Sequence, residues 1–578
     1  MKYKLVNENY KNEYVANLLK ARGVEDVESY MNPHEAMIQD PSMLDNIEKG
    51  AELLYETISK NDNIVIIADC DCDGFTSAAI MYQYIKNIAP NINIEYYVHE
   101  HKSHGLEDLI ELLIDTIEPH TLVICPDSST NDYIYHKELE ELGIGINVLV
   151  LDHHEKEENV PINESNTIVI NNQLGNYNNR ALTGAGVVYQ FCRYYDNKYG
   201  YNYADDYVDL AALGIIGDMG SVIQPENRYI ITKGLNNIKN FFFLAAINKQ
   251  SYSMGGKINP ISVSFYISPL INAMTRAGSL DEKRRMFEAF IDGEKMIPCN
   301  KRGAKGTLEM AAIESLRECT NAKKRQNDIK IQITESLEGK IYSEDLLSNK
   351  VLLVILNDDD VFPSELNGLV AMELVQRYNK PVLLGRLNNE GYVRGSIRGL
   401  NDSDLISLKD LLEDSKCFEY VQGHANAAGY SIPYKNIEKF HDYANKELEY
   451  INFEENVYTI NFIREANAID MSDLILDVGA HQGWGQSNNE PLILIKNIYV
   501  TPDNITLMKK DTVKITTPNM VYIKFNSKDF YDEVVAANGT YLDIIGRANL
   551  NEYYGKITPQ IMITDYELKN EDDSYLSF

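Results

Sequence analysis

The chain has 578 residues, a formal net charge of −32 and seven cysteines. That length exceeds what one hydrophobic core can organise and points to about three or four domains. The cysteines (70, 72, 125, 192, 299, 319 and 417) are odd in number and scattered, which excludes a disulfide framework and reads as reduced thiols in a cytoplasm.

Residues 1–60 are polar with helical spacing, and the stretch from Leu44 to Ile58 leads into the first strand. The start of the chain lacks the apolar core of a signal peptide, and no stretch approaches membrane-spanning length, so no membrane association is expected. From 61 to 280, apolar runs of strand length alternate with longer amphipathic segments, the pattern of a doubly wound α/β domain with a parallel sheet. Its runs each end in acids: Ile64 to Ala68 precedes Asp69-Cys70-Asp71-Cys72-Asp73-Gly74, Thr121 to Pro126 precedes Asp127, Val148 to Leu151 precedes Asp152-His153-His154, and Leu210 to Gly217 precedes Asp218. Thr76 to Ile85 reads as the first crossover helix.

Residues 281–340 are helical, and from Lys301 to Lys330 eight Lys/Arg face four acids. A solvated helix face explains that run as well as a strand-guiding one does. Residues 341–450 form a second, smaller α/β unit. The tail from 455 to 566 carries strand-like segments at a spacing that suits a small closed β-barrel, and 567–578 is an acidic tip containing Glu571-Asp572-Asp573. The tip reads as a disordered terminus or a docking peptide.

In an open α/β sheet, ligands bind outside the carboxyl ends of the strands, so acids ending several strands converge on one crevice. Like charges crowded there are costly unless a divalent cation or protonation relieves them. Imidazoles among carboxylates suit Mn2+ alongside Mg2+. An ordinary acidic turn is the alternative for 69–74 taken alone. Cys70 and Cys72 alternate with the acids and therefore point away from them on an extended segment. The acidic charge sits awkwardly with nucleic-acid binding, which would have to use local basic pockets, bound cations or a partner.

These motifs, in order, resemble the DHH phosphoesterase superfamily and, within it, the RecJ single-strand-specific exonucleases. The resemblance extends through Tyr30-Met31-Asn32-Pro33, Asp69 to Ser77, Leu182-Thr183-Gly184-Ala185-Gly186-Val187, Asp209 to Arg228, Ile271 to Arg276, Val393 to Gly399 and Gly423 to Gly429. It implies a DHH catalytic domain, long connecting helices, a DHH-associated domain and an OB-like tail. It also implies a metal-dependent 5′→3′ exonuclease that degrades single-stranded DNA to mononucleotides in DNA repair and recombination, as a cytoplasmic monomer of a bacterium or a bacterial virus. A single-strand-binding protein or a helicase is the further partner it suggests.

By the same resemblance two Mn2+ or Mg2+ ions are held by Asp69, Asp71, Asp73, Asp127, Asp152, His153 and Asp218, with Asp127 as the bridge. Asp71, Asp73, His153, His154 and His424 take the catalytic roles. Asp152 and His154 fix ligand orientation, or His154 contacts the scissile phosphate. The 5′ phosphate and the DNA fall to Arg276, Ser396, Arg398, Gly423 and His424, and stacking to Tyr522, Tyr541 and Tyr553, although barrel aromatics are more often core residues. The chain departs from the family pattern at His99, where arginine is typical, at Ser128-Ser129 in place of Asn-Gly, and at Thr275 and Gln422 in place of glycine. Two other readings stay open: a phosphodiesterase of short oligonucleotides or small nucleotides, and a non-catalytic replication scaffold. A family II-like pyrophosphatase is disfavoured by Gly423-His424 and by the β-rich tail.

Overall fold

The computed structural model describes residues 1–101, 103–162, 164, 166–304, 306–356, 363–400, 403–453, 456–553 and 555–569, without the side chains of Glu365 and Tyr553. They divide into two compact units. One comprises Asp26–Asn327 with Gln482–Asn489, and the other Met1–Glu25, Asp328–His481 and the chain from Glu490 onward.

In the first unit, five strands pair in parallel: β1 (Ile64–Ala68), β2 (Ile94–Val98), β3 (Leu122–Pro126), β4 (Asn147–Asp152) and β5 (Thr167–Asn171), in the order β2-β1-β3-β4-β5. Every residue of β1 and β3 is buried. The pleat divides them between two cores, as a sheet covered on both faces requires. Ile64, Ile66, Ala68, Ile124, Leu149 and Leu151 pack on one face, and Val65, Ile67, Val123 and Val150 on the other. The chain leaves β1 outward to β2 and returns on the other side at β3, so strand order reverses there and opens a crevice at the carboxyl ends.

Helix α1 (Cys72–Ile88) begins four residues before Thr76, because Asp71 caps it by accepting the Gly74 amide at 3.0 Å. Asp73 therefore sits in the first helical turn. Helices α2 (Gly184–Tyr199) and α3 (Val208–Gly217) pack against α1. In α3 every residue but Gly217 is buried, which is why its sequence shows no polar face. The Tyr30 segment is held within this unit by Tyr30 Oη, which donates to the Gly483 carbonyl at 3.1 Å and accepts from Asn488 Nδ2 at 3.1 Å.

The second unit contains a sheet of β6 (Leu352–Leu356), β7 (Val382–Leu387), β8 (Tyr392–Arg398), β9 (Tyr420–His424) and β10 (Ala427–Pro433), in the order β9-β10-β8-β7-β6. Only β6 and β7 run parallel. The tail folds as β11 (Phe462–Glu465), β12 (Ile493–Val500), β13 (Ile505–Met508), β14 (Thr512–Thr516), β15 (Val521–Lys524), β16 (Thr540–Tyr553) and β17 (Lys556–Lys569), in the order β11-β12-β16-β17-β15-β14-β13. This sheet is mixed, with parallel pairs at β11–β12 and β15–β17. Among the described residues no ladder joins β11 to β13, so the closure expected of a barrel is not found.

The polar start of the chain is not purely helical. Lys2–Leu5 pairs in parallel with Val457–Ile460, and the helix Tyr14–Ala21 sets Tyr14 edge-on to Phe462 at 6.0 Å. Of the basic run, Arg317 is paired with Glu309 and Glu314, Arg325 with Glu282 and Lys330 with Glu373. Those pairs favour the solvated-face reading; Lys305 and the acidic tip lie outside the described residues. No described helix is long and apolar enough to cross a membrane.

Candidate metal centre

The carboxyl ends of β1, β3 and β4 and the end of α3 bring together the acids that the sequence placed after its apolar runs. Three sets of ligand atoms lie within 4.8 Å of one another: Asp69, Asp71 and Asp127; Asp73, His153 and Asp218; and Asp127, Asp152, His153 and His154. Asp127 and His153 each belong to two of them. His153 Nε2 lies 3.1 Å from Asp127 Oδ1, 3.6 Å from Asp218 Oδ2 and 3.9 Å from Asp73 Oδ2.

Each acid is positioned by local structure. Asp69 is buried at the end of β1, with Oδ2 2.5 Å from His104 Nδ1 and Oδ1 accepting the Gly105 amide at 3.3 Å. Asp73 is buried against the start of α2, where Thr183 Oγ1, the Gly184 amide and the Ala185 amide donate to it at 3.0, 2.7 and 3.0 Å. A helix N-terminus favours negative charge there. Asp152 commits both oxygens to protein donors: the amides of Thr130, His153 and His154, and His154 Nδ1 at 2.8 Å. Its geometry thus orients His154. Asp127 has φ +65°, a region that non-glycine residues rarely adopt and that clusters at functional sites. Its buried Oδ1 makes no hydrogen bond among the described residues despite the approach of His153.

Crowding governs the charge. Burial, followed by the charge of Asp71, pushes the Asp73 carboxyl up to about 6. Burial, then Asp73 and Asp71, push Asp218 up to about 8. The same causes hold Asp127 well above the ordinary carboxylate range. Burial, then the charge of His154, lowers His153 to about 4, which keeps it a neutral ligand near pH 7. At His154 burial acts downward, but the charge and hydrogen bond of Asp152 prevail and raise it to about 10. Neutral imidazole, an orphaned buried carboxylate oxygen and mutually repelling acids are a donor set that fits divalent cations.

Arg276, on the helix Ser268–Ala277, is half-buried and lies within the electrostatic reach of Asp71. The remaining sequence candidates sit in the second unit. Ser396 and Arg398 are two apart on β8 and so share a face. Gly423 has φ +133° at the end of β9, and His424 beside it is exposed. In the tail, Tyr522 is 0 % exposed and hence a core residue with no ring face for a base, which corrects its assignment to stacking. Tyr541 is partly exposed, with its ring 5.0 Å from that of Tyr499. The side chain of Tyr553 lies outside the described residues.

Residues 63–215 match the DHH family, N-terminal domain, and residues 465–565 match the RecJ OB domain. The chain is 35% identical over 590 residues to the putative SPbeta prophage-derived single-strand DNA-specific exonuclease YorK of Bacillus subtilis, covering 100% of both. The chain belongs to the RecJ family. It is 24% identical to the single-stranded-DNA-specific exonuclease RecJ of Bacillus subtilis, across 95% of this chain and 67% of that one. Its fold matches the crystal structure of RecJ in complex with Mn2+ from Thermus thermophilus at a TM-score of 0.69 and 17% identity, over 99% of this chain and 79% of that one. A Mg2+ complex of the Thermus protein matches at a TM-score of 0.61 and 16% identity, over 99% of this chain and 78% of that one.

Against the RecJ pattern, two departures acquire physical roles. Ser129, where glycine is common, keeps φ +82° and uses its hydroxyl, which lies 2.6 Å from Asp132 Oδ2 and 3.2 Å from His136 Nε2. His99, where arginine is typical, is buried with Nδ1 2.6 Å from Asp108. The role of His104 was not legible in the sequence, because nothing local says that a loop histidine returns to Asp69. Thr183 and Gly184 were visible only as part of a motif, although a glycine opening a helix signals close approach.

Proposed function

We propose that this protein is a divalent-metal-dependent 5′→3′ exonuclease that hydrolyses single-stranded DNA to mononucleotides, acting in DNA repair or recombination. The observation that carries the reading is the shared set of buried carboxylates around His153, in a chain similar over its whole length to a putative single-strand DNA-specific exonuclease. Asp69, Asp71, Asp73, Asp127, His153 and Asp218 would hold two Mn2+ or Mg2+ ions. Bound divalent ions supply an activated water and neutralise phosphoryl oxygens.

The remaining work falls to the chain's own groups. His153 stays neutral and offers Nε2 as a ligand atom amid three carboxylates. Asp152 fixes the ring of His154, whose protonated form is a hydrogen-bond donor for a scissile phosphate. Polarity requires recognition of the strand end. Arg276, Ser396 and Arg398 are the proposed 5′-phosphate ligands, since a guanidinium binds phosphate in a bidentate fork. By the RecJ resemblance Gly423 and His424 are proposed DNA contacts, and Tyr541 is proposed to stack on a base.

The test is incubation of the purified protein with Mn2+ and single-stranded oligonucleotides labelled at either end, beside blunt duplex and a dinucleotide. Immediate release of mononucleotide from the 5′ label, with duplex spared, is the expected result. Release from the 3′ label first would overturn the polarity. Turnover of the dinucleotide alone would move the substrate to short oligonucleotides, and no turnover of any substrate would leave the scaffold reading.

A further inference from the structure

The rim of the metal centre carries two imidazoles built in the same way. His154 is held through Nδ1 by buried Asp152 at 2.8 Å, and His104 through Nδ1 by buried Asp69 at 2.5 Å. Both side chains are about half exposed, 47 % for His154 and 51 % for His104. Their ring centroids stand 6.0 Å apart. A ring tied through Nδ1 directs Nε2 the other way, and among the described residues neither Nε2 has a hydrogen-bond partner. A hydrogen bond from such a nitrogen to a phosphate oxygen spans about 2.8 Å, and two rings at this centroid separation are close enough to share one phosphate group.

The loop that carries His104 is built to hold it. Gly105 has φ +69°, and a Cβ there would fall 2.0 Å from Asp132 Oδ2, so only glycine lets the chain turn at that point. The Gly105 amide and the His104 ring thus grip the two oxygens of one buried carboxylate. A side chain needed only to cap Asp69 would gain by being buried, whereas this ring stands open toward solvent beside His154. His99 supplies no such contact. It is enclosed at 0 % exposure, with Nδ1 2.6 Å from Asp108 Oδ1 and Nε2 3.8 Å from Asp69 Oδ1, so its ring is not open to solvent as that of His104 is.

We propose that His104 is a substrate-contacting catalytic residue whose Nε2 binds a non-bridging oxygen of the DNA phosphate, forming with His154 a two-imidazole cradle. The proposal rests on the phosphodiesterase reading above and adds the residue that takes the phosphate oxygen. Asp69 acts on this contact by positioning the ring.

Amide replacements separate the two nitrogens of His104, because the asparagine Nδ2 falls near the imidazole Nδ1 and the glutamine Nε2 near the imidazole Nε2. His104→Asn keeps the bond to Asp69 and loses the outward contact; His104→Gln does the reverse. The measurement is kcat and KM on 5′-phosphorylated single-stranded DNA under saturating Mn2+, with Mn2+ affinity from calorimetric titration and folding from thermal melts. The expected result is that His104→Asn loses as much kcat/KM as His104→Ala, about 10- to 100-fold, at unchanged Mn2+ affinity, while His104→Gln stays within about threefold of wild type. The reverse order, or a loss of activity that tracks a loss of Mn2+ affinity, would make His104 a positioning residue for Asp69 and overturn the proposal. Wild-type activity in all three variants would overturn it as well. Inactive wild-type protein would instead refute the phosphodiesterase reading beneath it.

Discussion

Substitution of Gly184 by alanine tests whether the metal centre depends on backbone that no side chain can crowd. A Cβ at Gly184 would lie 2.3 Å from Asp127 Oδ1, 2.5 Å from its Cβ and 2.6 Å from its Cγ. Ordinary non-bonded separations are about 3.5–4.0 Å between carbons, so the Asp127 carboxylate must withdraw by roughly 1 Å. Gly184 opens α2 without a left-handed backbone, and alanine there would favour the helix by about 0.5–1 kcal/mol. Overpacking opposes that with about 1–3 kcal/mol, leaving a net loss of stability of no more than about 2.5 kcal/mol. Catalysis is far less tolerant: a misplacement of about 1 Å costs on the order of 100-fold. The assay pairs Mn2+ titration with initial rates on end-labelled single-stranded DNA. The control is Gly186→Ala, where the added methyl meets the flexible Leu182 side chain at 2.3 Å and no acid. Gly184→Ala is expected to lose Mn2+ affinity and about 100-fold in rate, and Gly186→Ala to lose stability alone. Equal effects of the two, or wild-type Mn2+ affinity in Gly184→Ala, would refute the reasoning.

Between pH 6.5 and 8.5 the metal-free protein should lose thermal stability as pH rises. Its folded state keeps protons on Asp218 (about 8) and on His154 (about 10) that the unfolded chain has released. Mn2+ binds the deprotonated set, so its stabilising shift in melts should grow over the same window, and a shift independent of pH would contradict those charge states. Ser129→Ala keeps the left-handed backbone, leaves Asp132 Oδ2 with the Leu106 amide alone and strands buried His136 Nε2; a loss of about 1–3 kcal/mol is expected in urea unfolding. Ser129→Gly should lose less, because it relieves the strain, and the opposite order would refute that account. Tyr522→Ala should cost about 3–5 kcal/mol as a buried aromatic. Tyr541→Ala should leave the melt nearly unchanged while weakening the binding of long single strands, read by fluorescence anisotropy.

The five-stranded parallel sheet and its crowded carboxyl ends were legible from local signals: continuous apolar runs, each ended by an acid, encode buried strands and place their termini without reference to distant residues. The matching motifs carried that reading to a candidate metal centre, and the structure brings Asp69, Asp71, Asp73, Asp127, Asp152 and Asp218 close together. What the sequence left open depends on contacts between residues far apart in the chain. The pairing of Lys2–Leu5 with Val457–Ile460 is invisible to periodicity, because an exposed polar start acquires strand structure only from its partner. Tyr522 and Tyr541 are alike as sequence, and only the packing of the mixed sheet buries the one and leaves the other open. His99 and His104 stand five residues apart in one loop; the fold closes Asp108 onto the first and points the second, through Asp69, to the rim of the site. Strand position is a local property of the chain, but burial and charge partnership belong to the neighbours that folding brings up, so the acids could be named from sequence while His104, which returns to Asp69 from a loop, could not.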